Sequence, residues 1–541
     1  MPEYLAPGVY IEELTTGPRP IEGVSTSTTA MLGAAERGPE TPWLVTSWLE
    51  YQRWFGSYPP NLESYLAYAV QGYFDNGGQR LFVGRIVPDG ATPAALNLGN
   101  GLRISAVGRG DWGNFVYVRI REASSRRPDR NQDWVRITLL YFSARNRPPD
   151  PDNIIDPLST DPADLTNPDR REPELVEDFD DIVHTPGATN NIEAVINAGS
   201  HLVRAWFPPG VAPAPIPVDN PAAYTRLAGG TGLMTAVDAP HFTGDREQAI
   251  DNTDERSREL LGRGRGLDAI EAVDEVSLLL VPDEVRRAPN DFSDVTNQVM
   301  NQCERLKDRF AIVSAQPGET NVNNVNAPRD TSYAAFYYPW IEVYDPVSRR
   351  PLRLPPTGHI AGLIARTDIE RGVHKAPAND VVRDATNLEF RITKGMQDVL
   401  NPRGVNCIRD FRSDNRGIRL WGARTMSSDP QWKYINVRRL FLFVEESVDE
   451  GTQWVVFEPN DEPLWAQVRR AISNFLVRVW KSGALMGITQ EEAFFVKCDR
   501  TTMTQDDIDN GRLICYIGIA PVKPAEFVIF RFSQKTAEAP A

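Results

Sequence analysis

Cysteine and histidine are scarce in this sequence, and their scarcity narrows the chemistry open to it. The four cysteines among 541 residues, Cys303, Cys407, Cys498 and Cys515, stand far apart and form no CxxC pair. That spacing predicts neither a zinc site nor a disulfide framework, and each thiol reads as a small buried hydrophobe. The five histidines, His184, His201, His241, His359 and His374, are equally dispersed, so no metal and no cofactor is expected. No apolar run approaches the roughly 20 residues of a membrane-spanning helix. The opening MPEYLAPG lacks the basic and apolar regions of a secretory signal, which predicts synthesis and folding in the cytoplasm. Positive charge is also short: 58 basic against 73 acidic residues give a formal charge of -15, so bulk attraction to nucleic acid or to an anionic membrane is not expected.

What is present is enough apolar side chain, 41%, for a globular protein. At this length it should divide into two to four domains. The two ends carry the most information, because both read as β-strands with no local partner. Residues 7 to 13, PGVYIEE, run extended for a few residues and dissolve into TTGPRP. After Pro524, EFVIFRFSQ alternates Val528, Phe530 and Phe532 with Phe527, Ile529 and Arg531. An isolated strand exposes unpaired N–H and C=O groups, so it pairs within its own domain or is donated to another molecule. Donation at both ends would link copies into a mesh.

Between the ends the pattern changes three times. TAMLGAAERGP reads as a buried strand, YLAYAVQGYFDNGG as a helix stopping at Gly77 and Gly78, and RLFVGRIV as a second strand, a strand–helix–strand unit over residues 28 to 87. From 98 to 145 the period becomes two, in LRISAVG, NFVYVRIRE and WVRITLLYFSA, which predicts an antiparallel module. The following RNRPPDPDNIIDPLSTDPADLTNPDRREPE buries too little apolar area to offset its ordering entropy and reads as a long exposed or disordered loop. From 268 a helix, the apolar strand Val276 to Val281, a second helix and a second strand predict parallel α/β structure. SYAAFYYPWIEVYDP reads as one further strand and GHIAGLIARTD as a short helix.

The blocks NPRGVNCIRDF, RGIRLWGARTMSSDPQWKYINVRRLFLFVEESV, TQWVVFEPNDEPLWAQVRRAISNFLVRVWKSGALMG and EEAFFVKCDRTTMT, with YLAPGVYIEE and FDNGGQRLFVGRI nearer the start, resemble the tail sheath proteins of contractile phage tails and related contractile injection particles. The resemblance is strong over about 30% of the chain, within Asn401 to Phe532, and weak between residues 98 and 225. It implies a mechanical component that stacks in rings around an inner tube and contracts, with terminal arms adding strands to neighbouring subunits. The implied fold is multidomain α+β, with a mixed α/β inner domain built from N- and C-terminal parts, a mainly antiparallel β insertion domain, and extended arms. The expected divisions are 1–25 (arm), 26–97 (first part of the inner domain), 98–225 (β-rich insertion), 226–395 (an α/β domain likened in this family to subtilisin, non-catalytic), 396–523 (C-terminal sheath domain) and 524–541 (arm). Strand exchange is assigned to Val9, Tyr10 and Ile11 at one end and Val528, Phe530 and Phe532 at the other.

The resemblance also implies an inner tube, baseplate and cap proteins as partners, within a phage tail-like particle made in the bacterial cytoplasm that can be released. In Leu464 to Lys481, Leu464, Val468, Ile472, Phe475, Leu476 and Val479 form an apolar stripe, while Gln467, Arg470, Asn474, Arg478 and Lys481 share another face. Asn460 or Asp461 can cap the helix start. Family sheaths are thought to grip the tube through such a helix, which implies tube contact by Arg470, Asn474, Arg478 and Lys481. A solvated face, or ion pairs to a neighbouring sheath subunit, would give the same pattern.

RGIRLWGAR, Arg416 to Arg424, reads as a core strand and turn rather than a contact site. GRGRG at 262–266 lacks the GxGxxG spacing and preceding strand of a nucleotide loop and reads as a flexible basic turn. A subtilisin-like hydrolase finds no support in a serine–histidine motif. A sheath-related baseplate or cap component remains an open alternative.

Overall fold

The computed structural model describes residues 20–59, 64–98, 101–125, 134–183, 185, 188–208, 210–211, 223–233, 237–249, 263–285 and 289–532. The chain divides into two compact units, one of Ser25–Arg439 and one of Met1–Val24 with Leu440–Ala541.

The larger unit is organised by a nine-stranded sheet. Its strands are β1 (Thr29–Gly33), β2 (Trp43–Val45), β3 (Leu81–Arg85), β4 (Leu278–Leu280), β5 (Phe310–Ser314), β6 (Ala334–Tyr338), β7 (Asp380–Val381), β8 (Val405–Asp410) and β9 (Ile418–Trp421). The spatial order is β7-β9-β8-β6-β5-β4-β1-β3-β2. The six strands from β8 to β3 are parallel, with Thr29 opposite both Leu81 and Leu278, Leu278 opposite Phe310, Ala311 opposite Ala334 and Phe336 opposite Val405. The strands at the margins, β2, β9 and β7, run antiparallel to their neighbours. Parallel strands covered on both faces read as unbroken apolar runs, and β1, β4, β5 and β6 are buried at every residue. Strands from the expected divisions 26–97, 226–395 and 396–523 share this one sheet, and among the described residues no strand of 98–225 enters it.

Two helices on this sheet approach each other through glycine. In chain order the helices here are α1 (Leu66–Asp75), α2 (Pro289–Leu306) and α3 (Thr357–Arg371), and the close pair is α1 with α3. A Cβ on Gly358 or Gly362 of α3 would lie 2.4 Å from the Ala69 carbonyl or 2.3 Å from the Tyr73 carbonyl of α1, so only hydrogen fits there. Gly72 of α1 gives the reciprocal space to the His359 ring. The expected short helix GHIAGLIARTD is a 15-residue one, buried continuously from Thr357 to Asp368, and its glycines are its packing surface against α1.

Three further expectations change. SYAAFYYPWIEVYDP forms two strands, because Pro339 has no N–H to continue the ladder: β6 stays in the large sheet, and Ile341–Asp345 pairs with Arg350–Leu354 and Asn387–Leu388. The strand expected over Val276 to Val281 pairs only at Leu278–Leu280. In the basic string GRGRG, Arg263–Arg265 is a strand paired with Asp245–Ala249 rather than a turn.

Residues 95–228 carry two antiparallel sheets. One orders Thr225–Arg226, Val116–Glu122, Val135–Tyr141 and Leu175–Ile182; the other orders Ala95–Asn97, Arg103–Ala106 and Val203–Trp206. The Pro/Asp-rich segment between Tyr141 and Leu175 is a mostly exposed loop whose aspartates close local turns: Asp150, Asp156 and Asp161 accept from the backbone N–H two residues on. Tyr117 and Arg119 hold it to the sheet, through the Pro151 carbonyl (2.9 Å) and Asp156 (2.7 Å).

The smaller unit contains α4 (Ile435–Thr452) from Leu440 onward, α5 (Glu462–Lys481) and a hairpin of β10 (Phe494–Lys497) and β11 (Tyr516–Ile519). Residues 20–24 belong to the same body. Ile21 is fully buried, and a Cβ on Gly451 would strike it at 2.7 Å. The Val24 N–H donates to Ser447 Oγ at 3.1 Å.

Candidate assembly surface

Helix α5 begins where Asp461 accepts from the Leu464 N–H at 3.0 Å, with Pro463 tolerated in the first turn. Of the two residues expected to cap it, Asp461 does so; Asn460 instead accepts from Trp465 Nε1 at 2.7 Å. The apolar stripe is buried at all six positions, Leu464, Val468, Ile472, Phe475, Leu476 and Val479. Gln467, Arg470, Asn474, Arg478 and Lys481 are all exposed, so the helical period brings these side chains to one solvent face. Among the described residues Arg470 and Lys481 have no ion-pair partner. Arg478 differs, because its guanidinium donates to the Ile21 carbonyl and helps hold residues 20–24.

The chain after the hairpin is tied down only in part. The Met486 N–H donates to the Ala520 carbonyl at 2.8 Å and the Val522 N–H to the Ala484 carbonyl at 3.1 Å. Beyond that, the segment expected to form a strand belongs to no sheet among the described residues. Phe527, Val528, Ile529, Phe530 and Phe532 are all exposed, from 68% at Val528 to 95% at Phe532. Val9, Tyr10 and Ile11, assigned the same role, lie outside the described residues.

The same unit holds a feature that sequence reasoning missed. Strand β11 pairs with β10 on one side only among the described residues. An open groove of about 350 Å³ runs between it and α4, lined by Phe441, Val444, Val448, Thr452, Ile517 and Ile519 with Glu445 and Asp449. The signal for it lay in LFLFV, residues 440–444, which is apolar on more than one helical face.

In the larger unit the place to look for chemistry is the point where strand order reverses, between β1 and β4, since open α/β sheets bind ligands there. That crevice is filled from within. Asp283 accepts from the Ala34 N–H (3.1 Å), Ser64 Oγ (2.6 Å) and the Tyr65 N–H (2.6 Å). The adjacent Glu284 accepts from Thr296 Oγ (2.8 Å) and the Ser314 N–H (3.2 Å), and burial pushes its carboxyl up to about 8. His359 is enclosed between α1 and α3 with neither ring nitrogen hydrogen-bonded among the described residues, and burial lowers it to about 4. In the insertion, Ser200 and His201 meet Glu177, but the carboxylate takes both the Ser200 hydroxyl (2.6 Å) and His201 Nδ1 (3.0 Å). A triad needs the histidine between serine and acid. Among the described residues no His/Cys/Asp/Glu group is placed to hold a metal ion.

Two family models match back to back. Residues 264–426 match the phage tail sheath protein central domain and residues 427–535 the phage tail sheath C-terminal domain. The chain belongs to the phage tail sheath family. Over 226 residues it is 26% identical to the tail sheath protein of Vibrio phage KVP40, covering 41% of this chain and 32% of that relative. It thus spans about a third of that sheath protein's length. In fold it is similar to the helical sheath of the anti-feeding prophage in its contracted state, with a TM-score of 0.56 and 24% identity over 98% of this chain and 100% of the other. A chain of the anti-feeding prophage baseplate is similar too, with a TM-score of 0.54 and 24% identity over 99% and 100% of the two chains. The C-terminal sheath model takes in α4, α5, the hairpin and the exposed tail. RGIRLWGAR lies in the central model, with Ile418–Trp421 as β9 and Arg416 stacked over the Phe411 and Trp421 rings.

Proposed function

We propose that this chain is a sheath subunit that polymerises helically around an inner tube and contracts from a metastable extended state, driving the tube through a target envelope. The observation that carries the reading is the exposed apolar tail Phe527–Phe532 in a unit that also holds a one-sided hairpin and an apolar groove. A tail that cannot bury itself in its own subunit gains pairing and burial in another. Val528, Phe530 and Phe532 act as donor at this end and Val9, Tyr10 and Ile11 at the other. Head-to-tail contacts that do not close produce an open helix, and two packings of the same subunits then hold the energy that contraction releases. The subunit works without catalysis or cofactor. Its partners are copies of itself, the inner tube, baseplate and cap proteins, with neither nucleic acid nor membrane insertion, in a phage tail-like particle that is built in the bacterial cytoplasm and can be released from the cell. No described helix is long and apolar enough to cross a membrane.

The exposed face of α5 meets an acidic inner tube through Arg470, Asn474 and Lys481, with Arg478 contributing charge while it holds Ile21. Reversing Arg470, Arg478 and Lys481 to Glu lowers tube co-assembly at least roughly tenfold while circular dichroism stays that of a folded subunit, since interfacial charge reversal costs several kcal/mol. Unchanged tube loading in a pull-down would remove α5 from the contact.

The likeness to a baseplate chain supports a second reading, a sheath-related baseplate component. Electron microscopy of the chain co-expressed with its tube partner separates the two. Hollow helical tubes of uniform width, with many copies per particle, are the sheath result. Closed rings or monomers, while the tube itself polymerises, are the baseplate result.

A further inference from the structure

The two thiols that sequence spacing keeps apart are neighbours across a β-hairpin. Pairing between β10 and β11 runs from Phe494 opposite Ile519 to Lys497 opposite Tyr516. The next step outward sets Cys498 opposite Cys515. Facing residues in an antiparallel ladder have Cα atoms about 4.5–5.5 Å apart, inside the range of about 4.4–6.8 Å that a disulfide spans. Directly opposed side chains of such a pair lie on the same face of the hairpin, and the two thiols perturb each other, Cys498 downward and Cys515 upward. The mouth of the loop they close, residues 499–514, is already held by Thr502 Oγ, which donates to the Ile514 carbonyl at 2.9 Å. Arg469 of α5 donates to the Cys498 carbonyl at 2.8 Å and fixes the backbone there. Cys498 is buried and Cys515 partly exposed, so a reagent has one entrance. Cys303 and Cys407 lie in the core of the larger unit.

We propose that Cys498 and Cys515 are a reversible oxidative modification site, forming a cross-strand disulfide when the subunit meets a low-molecular-weight disulfide. Thiolate character in the pair favours Cys498, held low by Cys515, and the fraction carried by the reachable Cys515 sulfur attacks one sulfur of the reagent; a mixed disulfide forms on Cys515 and the first small thiol leaves. The Cys498 thiolate then attacks the Cys515 sulfur, and the second small thiol leaves. Two protein thiols lose two electrons and two protons, and one small disulfide becomes two thiols. Both the attack and the reverse reduction are ordinary thiol–disulfide exchange. The bond would hold β11 in register with β10, and it stands whether or not the hairpin accepts a neighbour's strand.

The test uses the full chain, reduced and then incubated with oxidised glutathione. Thiols are counted under denaturing conditions, and intact mass and a peptide map are recorded. The expected result is loss of two of the four thiols, a mass lower by two hydrogen atoms, and one cross-linked peptide joining Cys498 to Cys515. The oxidised chain should melt several degrees higher, and reductant should reverse the shift. Cys498→Ser should stop at a stable glutathione adduct on Cys515, and Cys515→Ser should leave Cys498 unreacted. Retention of all four thiols in the native chain, or a persistent adduct on Cys515 with Cys498 still free, overturns the proposal.

Discussion

Deletion of residues 525–541 leaves a folded subunit that no longer polymerises. The described part of this segment adds nothing to the subunit's own core, because Phe527, Val528, Ile529, Phe530 and Phe532 are exposed and outside every described sheet. The buried residues of the same unit, from Ile21 to Phe475 and Cys498, lie before the cut. The loss therefore falls on what the tail does for another copy. Each donated backbone hydrogen bond contributes a net of only about 0.5–1.5 kcal/mol, but several per junction, with burial of alternate aromatic side chains, decide whether a lattice forms. Sedimentation should show monomers with unchanged melting, where the intact chain forms large assemblies. Tubes of normal length from the truncated chain would mean that the tail is not a donor. Deletion of residues 1–20 is expected to behave in the same way.

Glu284→Gln stabilises the chain, and the gain grows with pH. The folded carboxyl titrates near 8 because it is buried, against 4.5 for the free side chain. Below pH 4.5 both states are protonated and Glu284 costs nothing. Between 4.5 and 8 the unfolded chain ionises while the folded one stays neutral, so stability falls by about 1.4 kcal/mol per pH unit. The penalty is on the order of 3 kcal/mol at pH 7 and 5 kcal/mol at pH 8. Glutamine keeps both hydrogen bonds, donating to Thr296 Oγ while its carbonyl accepts from Ser314, and removes the titration. His359 works in the opposite direction. Its folded value near 4, against 6.5 when free, means stability is lost as pH falls from 6.5 to 4. The glutamine variant should therefore match the native chain in denaturant midpoint near pH 4.5, exceed it clearly at pH 8, and keep the acid-side loss. An equal gain at both pH values would show that repacking, not proton linkage, is responsible.

The parallel core was legible because burial on both faces writes apolar runs such as Leu278–Leu280 and Phe310–Ser314 directly into the chain. The α5 face was legible for a similar reason: period 3.6 separates Leu464, Val468 and Ile472 from Arg470 and Lys481 within one helix. What depends on partners distant in sequence was not. The groove exists only where Phe441 and Val448 of one helix meet Ile517 and Ile519 some 70 residues later. The thiol pair exists only through the register of β10 with β11. The role of the α3 glycines was not legible either, since only the Ala69 and Tyr73 carbonyls against them reveal why glycine is needed.

The filled crevice between β1 and β4 has a mechanical consequence. Proteins that bind a ligand at this reversal point use a crevice outside the carboxyl ends of the strands. Here Asp283 clamps the ends of β1 and β4 and the start of α1 with three hydrogen bonds to one carboxylate. With β1 and β4 also paired from Thr29 opposite Leu278 to Met31 opposite Leu280, the two halves of the sheet are expected to move as one plate.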